Sequence, residues 1–196
     1  RRYLKGLLKT GIPLTWTPMV SGMSWDLGYQ PFLGKSVGDP ELDPLCNRQI
    51  DYDTVILHLM PEYYPQWKKL ENGKKIIGYT VWETDKIPQH WLPLLNAVDL
   101  LFVPCQWNKQ VFEQCRVMTP ILVIPHIAEP AEPAATPRNR WGIPAEDFVF
   151  YTINVWTERK NLSQLIEAYL DTFQASDAVT LLVKTSFRDS TKYKPG

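Results

Sequence analysis

From Asp53 onward, short continuous apolar runs alternate with amphipathic stretches, and this alternation constrains the fold more than any other feature of the chain. Residues 54–59, 75–82, 100–103 and 121–124 read as buried strands. Residues 61–70 between the first two read as a short helix, stopped by Asn72-Gly73. Pro88 suits the first turn of a second helix, where a missing N–H costs nothing, and Trp91, Leu94, Leu95 and Val98 line one of its faces. Asn108 is placed as the N-cap of a third, with Trp107 and Phe112 spaced as a hydrophobic staple. Continuous apolar strands joined by amphipathic helices predict a parallel sheet covered on both faces, with right-handed crossovers. The expected fold class is therefore α/β and Rossmann-like.

The flanks are less regular. Leu4, Leu7 and Leu8 form the apolar side of a short first helix, with Gly11 as its C-cap. Residues 12–17 read as a strand. Residues 21–50 are rich in Gly, Pro, Asp and Ser and read as a long irregular segment, either a functional loop or a plain surface insertion. No strand and no glycine turn stand before the first helix, so the reading is of a domain without its first strand. Proline accounts for 17 of the 196 residues, against an average of about 5%. Several fall in Glu129-Pro130-Ala131-Glu132-Pro133, which reads as a stiff linker. Beyond it, residues 148–153 and 179–183 read as strands, with Leu162, Leu165, Ile166, Tyr169 and Phe173 on one helix face between them. The expected division is a first Rossmann-like domain over 1–127, a linker over 128–147, and a second domain over 148–196 that is begun and not finished.

Lys plus Arg and Asp plus Glu are 21 each, for a net charge of zero. That argues against a nucleic-acid binder working through bulk positive charge. Three cysteines without CxxC spacing argue against a zinc site or a disulfide framework and point to a reducing, cytoplasmic setting. No apolar run approaches the roughly 18 residues that cross a bilayer, and no signal peptide is visible. The chain lacks GxGxxG, GxxxxGK[ST] and GxSxG, which speaks against dinucleotide enzymes, P-loop NTPases and serine hydrolases.

The strongest local signal is Asn154-Val155-Trp156-Thr157-Glu158-Arg159-Lys160-Asn161, at the carboxyl end of a strand and before a helix. Ligands of open α/β sheets bind at that edge. Asn161 and Gln164 have capping-box spacing. Arg159 and Lys160 then stand beside a positive helix end, a site for a diphosphate; alternatively they are two solvated cations. Glu83, in Trp82-Glu83-Thr84-Asp85 after a strand, is a candidate base or hydroxyl acceptor; alternatively Thr84 and Asp85 merely cap the next helix. Trp25, in the long loop, could stack on a sugar or a partner. His58, His90 and His126 read as structural, and Cys105 as a packed neutral thiol.

The order of segments resembles the group 1, family four glycosyltransferases of the GT-B fold. The residues that carry it are Gly78-Tyr79-Thr80-Val81-Trp82-Glu83-Thr84, Ile87-Pro88, Trp91, Leu95-Asn96 and Asp99. They continue as Phe102-Val103-Pro104-Cys105-Gln106-Trp107-Asn108, Val111-Phe112, Ile124-Pro125-His126, Trp141-Gly142-Ile143-Pro144, Phe148-Val149-Phe150 and Arg159-Lys160-Asn161. The resemblance implies transfer of a sugar with retention, from a nucleotide-sugar on the second domain to a carbohydrate or lipid-linked acceptor on the first. It implies no metal and no cofactor beyond the donor. By it, Arg159 and Lys160 hold the donor diphosphate and Asn154 stands on the donor side, where some relatives carry a basic residue. Glu83 is the catalytic candidate, and Trp25 and Trp82 lie toward the acceptor. Cys105 replaces a serine usual in such enzymes. The glycine-rich turn and the acidic donor pair of the family are absent, so the resemblance implies a fragment that does not turn over alone. Peripheral membrane association is compatible with the family, although no basic amphipathic helix is evident. A non-catalytic binding or scaffold protein of the same fold is the alternative. A nucleotide-dependent epimerase or oxidoreductase is a third reading, weakened by the missing fingerprint.

Overall fold

A computed structural model describes residues 1–21, 28–128 and 138–185. The chain forms two compact units, Arg1–Glu129 and Pro130–Gly196.

The first unit is built on a four-stranded parallel sheet: β3 (Thr54–His58), β4 (Lys75–Tyr79), β5 (Leu100–Val103) and β6 (Ile121–Val123), in the spatial order β3-β4-β5-β6. The register pairs Leu57 with Gly78, Gly78 with Leu101, and Leu101 with Ile121, so these residues share one face. That face carries the core, in which Leu57, Ile76, Leu101, Val103 and Ile121 meet Tyr64, Trp91, Leu95, Val98, Val111 and Phe112. Each such side chain contributes about 1.5–3 kcal/mol when fully buried. The covering residues come from α2 (Tyr64–Leu70), α3 (Trp91–Leu95), α4 (Gln106–Gln114) and the turn after α3. Gly78 is required here, because a Cβ would lie 2.7 Å from the Tyr64 ring.

The expectation of a sheet covered on both faces is met in full on one face and in part on the other, where Ile77 and Tyr79 are buried at the centre. Strands placed in sequence order and joined by right-handed crossovers put every connecting helix on the same side. On the opposite face Ile56 and Leu122 are exposed, and α1 (Arg2–Leu8) is the helix that reaches it, through Tyr3 against Tyr79.

Several local expectations are corrected. Residues 12–17 form no strand; Trp16 alone bridges to Cys46. The proline within 12–17 removes a ladder donor. The 21–50 segment is partly ordered: β1 (Met19–Ser21) and β2 (Tyr29–Pro31) pair antiparallel, and a 3-10 turn covers Asp43–Leu45. Lys9 rather than Gly11 is the C-cap of α1, although Gly11 follows in the left-handed region. The N-cap of α4 is Cys105, not Asn108. Asn108 lies inside the helix at 1% exposure, and Trp107 is exposed, so no staple forms. Cys105 is exposed and not packed.

The second unit pairs β7 (Phe148–Ile153) with β8 (Val179–Lys184) in parallel, joined through α5 (Leu162–Thr172). Phe150, Tyr169 and Phe173 cluster between strand and helix. Within the stretch read as linker, a 3-10 turn spans Arg138–Trp141. The Arg138 guanidinium donates to the carbonyls of Pro144, Ala145 and Asp147, tying this stretch to the start of β7. Among the described residues no helix is long and apolar enough to cross a membrane.

Candidate functional site

In open α/β sheets ligands enter at the carboxyl ends of the strands, where successive connections leave in opposite directions. Here β3–β6 lie in sequence order, so no such reversal falls within this sheet; the carboxyl ends of β3 and β4 open between α2–α4 on one face and α1 on the other. A cleft of about 350 Å3 lies there, lined by His58, Leu59 and Met60 after β3, Tyr79, Thr80 and Val81 after β4, and Met19 and Tyr29 from the β1–β2 hairpin. The hairpin is anchored beside it. The Tyr29 N–H donates to the Tyr63 hydroxyl at 2.8 Å, and Gly28 at φ +56 leaves room for that hydroxyl, where a Cβ would collide at 2.4 Å.

The floor is an aromatic and imidazole stack. His58 and Tyr79 are cross-strand partners, and their rings stack at 4.4 Å and 14°. The Tyr79 hydroxyl donates to the Ile124 carbonyl at 2.8 Å, and Tyr3 donates to the Pro125 carbonyl at 2.6 Å. The two hydroxyls also meet each other, and both approach Nδ1 of His126. Burial and the bond to Tyr3 push the Tyr79 phenol up, so it stays protonated as a donor. Burial of the His58 ring, then the neighbouring His126 and the chain's amino terminus, hold His58 below the usual histidine range. His58 is thus neutral near pH 7.

Beyond Val81 comes the loop with Trp82 and Glu83. Trp82 is half-buried and packs edge-on against Trp91 at 4.7 Å. Its indole N–H donates to Thr84 Oγ1 and to the Lys86 carbonyl. Asn108 Nδ2 donates to the Trp82 carbonyl at 2.6 Å from below, while its Oδ1 is buried without a partner. Glu83 is exposed on this fixed loop. Thr84 accepts from Trp82 rather than capping a helix, since α3 begins only at Trp91.

In the second unit, a single 3-10 turn, Glu158–Lys160, joins the end of β7 to α5 and carries Arg159 and Lys160 exposed on it. Asn161 follows at φ 50 and ψ 41, in the left-handed region, and turns the chain into the helix. The expected capping box is not made. Asn161 Nδ2 donates to the Gln164 side chain, and the Asn161 side chain gives no cap bond to α5. Asn161 thus supplies no side-chain acceptor to the leading N–H groups of α5. Asn154 Nδ2 donates to Thr152 Oγ1 at 2.7 Å, and its backbone pairs with Lys184.

Of the residues singled out in the sequence, Trp82 and Glu83 share one loop of the first unit, and Asn154, Arg159 and Lys160 share the β7–α5 junction of the second. Trp25 lies outside the described residues. His90 is exposed and paired to Glu62 at 2.9 Å, and His126 lies against the hydroxyls of Tyr3 and Tyr79. His58 does more, since it lines the cleft. Tyr79, Thr80 and Val81 fall within a segment that carries the resemblance, which assigns them no role; the signal that groups them with His58, Leu59 and Met60 is their place at two adjacent strand ends. Among the described residues no group of three or more His, Cys, Asp and Glu could hold a metal. In comparisons with known proteins, no family model, no curated protein and no solved structure matches this chain.

Proposed function

We propose that the protein is a GT-B-type glycosyltransferase that moves a sugar from a nucleotide-sugar with retention, Arg159 and Lys160 receiving the donor diphosphate. The observation that carries this reading is the β7–α5 junction. Two exposed cations sit on one turn, immediately before an eleven-residue helix whose own N-cap side chain gives it no hydrogen bond. The positive end of a helix and its leading N–H groups favour an anion, and the adjacent cations add charge-assisted hydrogen bonds. A diphosphate held so is stabilised as it departs, which is the electrostatic need of sugar transfer without a metal. The sequence order quoted above, over the parallel sheet of the first unit, supports the same reading.

Isothermal titration of uridine, guanosine and adenosine diphosphates into the protein tests it. One diphosphate is expected to bind, and Lys160→Ala to weaken it by about ten- to a hundredfold, the loss of one hydrogen bond to a charged group. A folded protein that binds none of them, or binds equally well with Lys160→Ala, overturns the reading.

A further inference from the structure

The cleft at the ends of β3 and β4 carries no assigned ligand, and its lining is chemically selective. Eight residues from three segments converge, and none brings a carboxylate, an ammonium or a guanidinium. Two thioethers, Met19 and Met60, face two tyrosines and an imidazole. Thioethers and ring edges both favour aromatic partners. Hydrogen-bonding capacity is sparse: the Tyr79 hydroxyl is engaged by Tyr3 and by the Ile124 carbonyl, and the buried Thr80 side chain bonds Tyr64, which leaves His58 and the Tyr29 hydroxyl as the polar side-chain groups on offer. A free sugar ring, with hydroxyls on every side, would leave most of them unpaired here. The volume of about 350 Å3 stands at the small end for ligand sites and suits one fused ring system rather than a long chain.

We propose that this cleft binds an uncharged aromatic compound bearing a hydroxyl, with its ring between Tyr29 and the Met19 and Met60 thioethers and its hydroxyl donating to the His58 imidazole. His58 suits that part: its ring is fixed flat on Tyr79, and as a neutral imidazole it offers one nitrogen as acceptor. As an acceptor site the cleft rests on the transferase reading; as a binding site it does not.

The test uses naphthol as probe on the full chain, with methyl glucoside and naphthoate as comparisons. The chain has three histidines, so the ring Cε1–H resonance of His58 is assigned by its loss in His58→Gln. Naphthol is expected to shift that resonance saturably. Tyr29→Ala is expected to weaken binding by about fivefold, the scale of one aromatic contact, while Tyr29→Phe keeps the ring and binds as the parent. Naphthoate and methyl glucoside are expected to bind at least tenfold more weakly than naphthol. The proposal is overturned if naphthol leaves His58 unmoved, if Tyr29→Ala binds unchanged, or if either comparison compound binds as well. A lost diphosphate titration beside intact naphthol binding would remove the transferase reading and leave the cleft.

Discussion

The environment of His58 departs from what its position in the sequence suggests. It ends a buried strand pattern, and it stacks on Tyr79 with an exposed edge toward the cleft. Its folded value lies below the ordinary one, so between the two the unfolded chain binds a proton that the folded chain does not. Stability then falls as pH drops below about 6.5, the ordinary histidine value. The thermal midpoint is expected to decline from pH 7.5 toward pH 5.5, and His58→Phe to flatten that slope. An unchanged slope in the variant would show that the ring titrates alike in both states. Glu62 is held below the ordinary carboxylate range by its bonds to His90 and Trp91, so its contribution is lost only at lower pH, outside this window. Asn108 shows the limit of local reading. Its type and place before an apolar run suit an N-cap, but Cys105 takes that position. Asn108 instead turns inward to a carbonyl of Trp82, far back in the chain. No local pattern announces a bond of that separation.

Elements were legible where periodicity was long and hidden where contacts are distant. The four sheet strands and the helices between them follow from apolar runs and turn residues alone, with ends shifted by a few residues. The first helix was visible too, but not its reason for persisting. α1 has seven residues and none buried, too short to be stable alone. It is held by Tyr3, by Arg2 donating to the Ile127 carbonyl at 3.0 Å, and by Lys5 with Glu41 at 2.7 Å. The last is a surface pair and worth little. Tyr3→Phe keeps the ring against Tyr79 and removes the hydroxyl bonds. It is expected to cost about 1–2 kcal/mol and to speed amide exchange in α1, with β3–β6 unaffected. Unchanged exchange in α1 would assign its anchoring to the ring alone.

At the scale of the whole molecule, the alternation of apolar and amphipathic runs predicts the parallel sheet but not which face the helices cover. That is decided by strand order, a long-range property: strands laid down in one direction put their connecting helices on one side. The two units also differ in what holds them. The first has a continuous buried core from Leu57 to Ile121. In the second, Leu162 is the one fully buried apolar residue among those described, while Phe148 is 63% and Tyr151 72% exposed. Burial sets stability, so the units are expected to unfold separately in urea, the second at lower concentration. Leu101→Ala should shift only the later transition, by about 2–5 kcal/mol, and Leu162→Ala only the earlier one. Residue-resolved hydrogen exchange reads the two groups of amides independently. A single transition moved by both substitutions would mean that the second unit draws its stability from the first, and that the turn at Arg159 and Lys160 is ordered only as part of the whole.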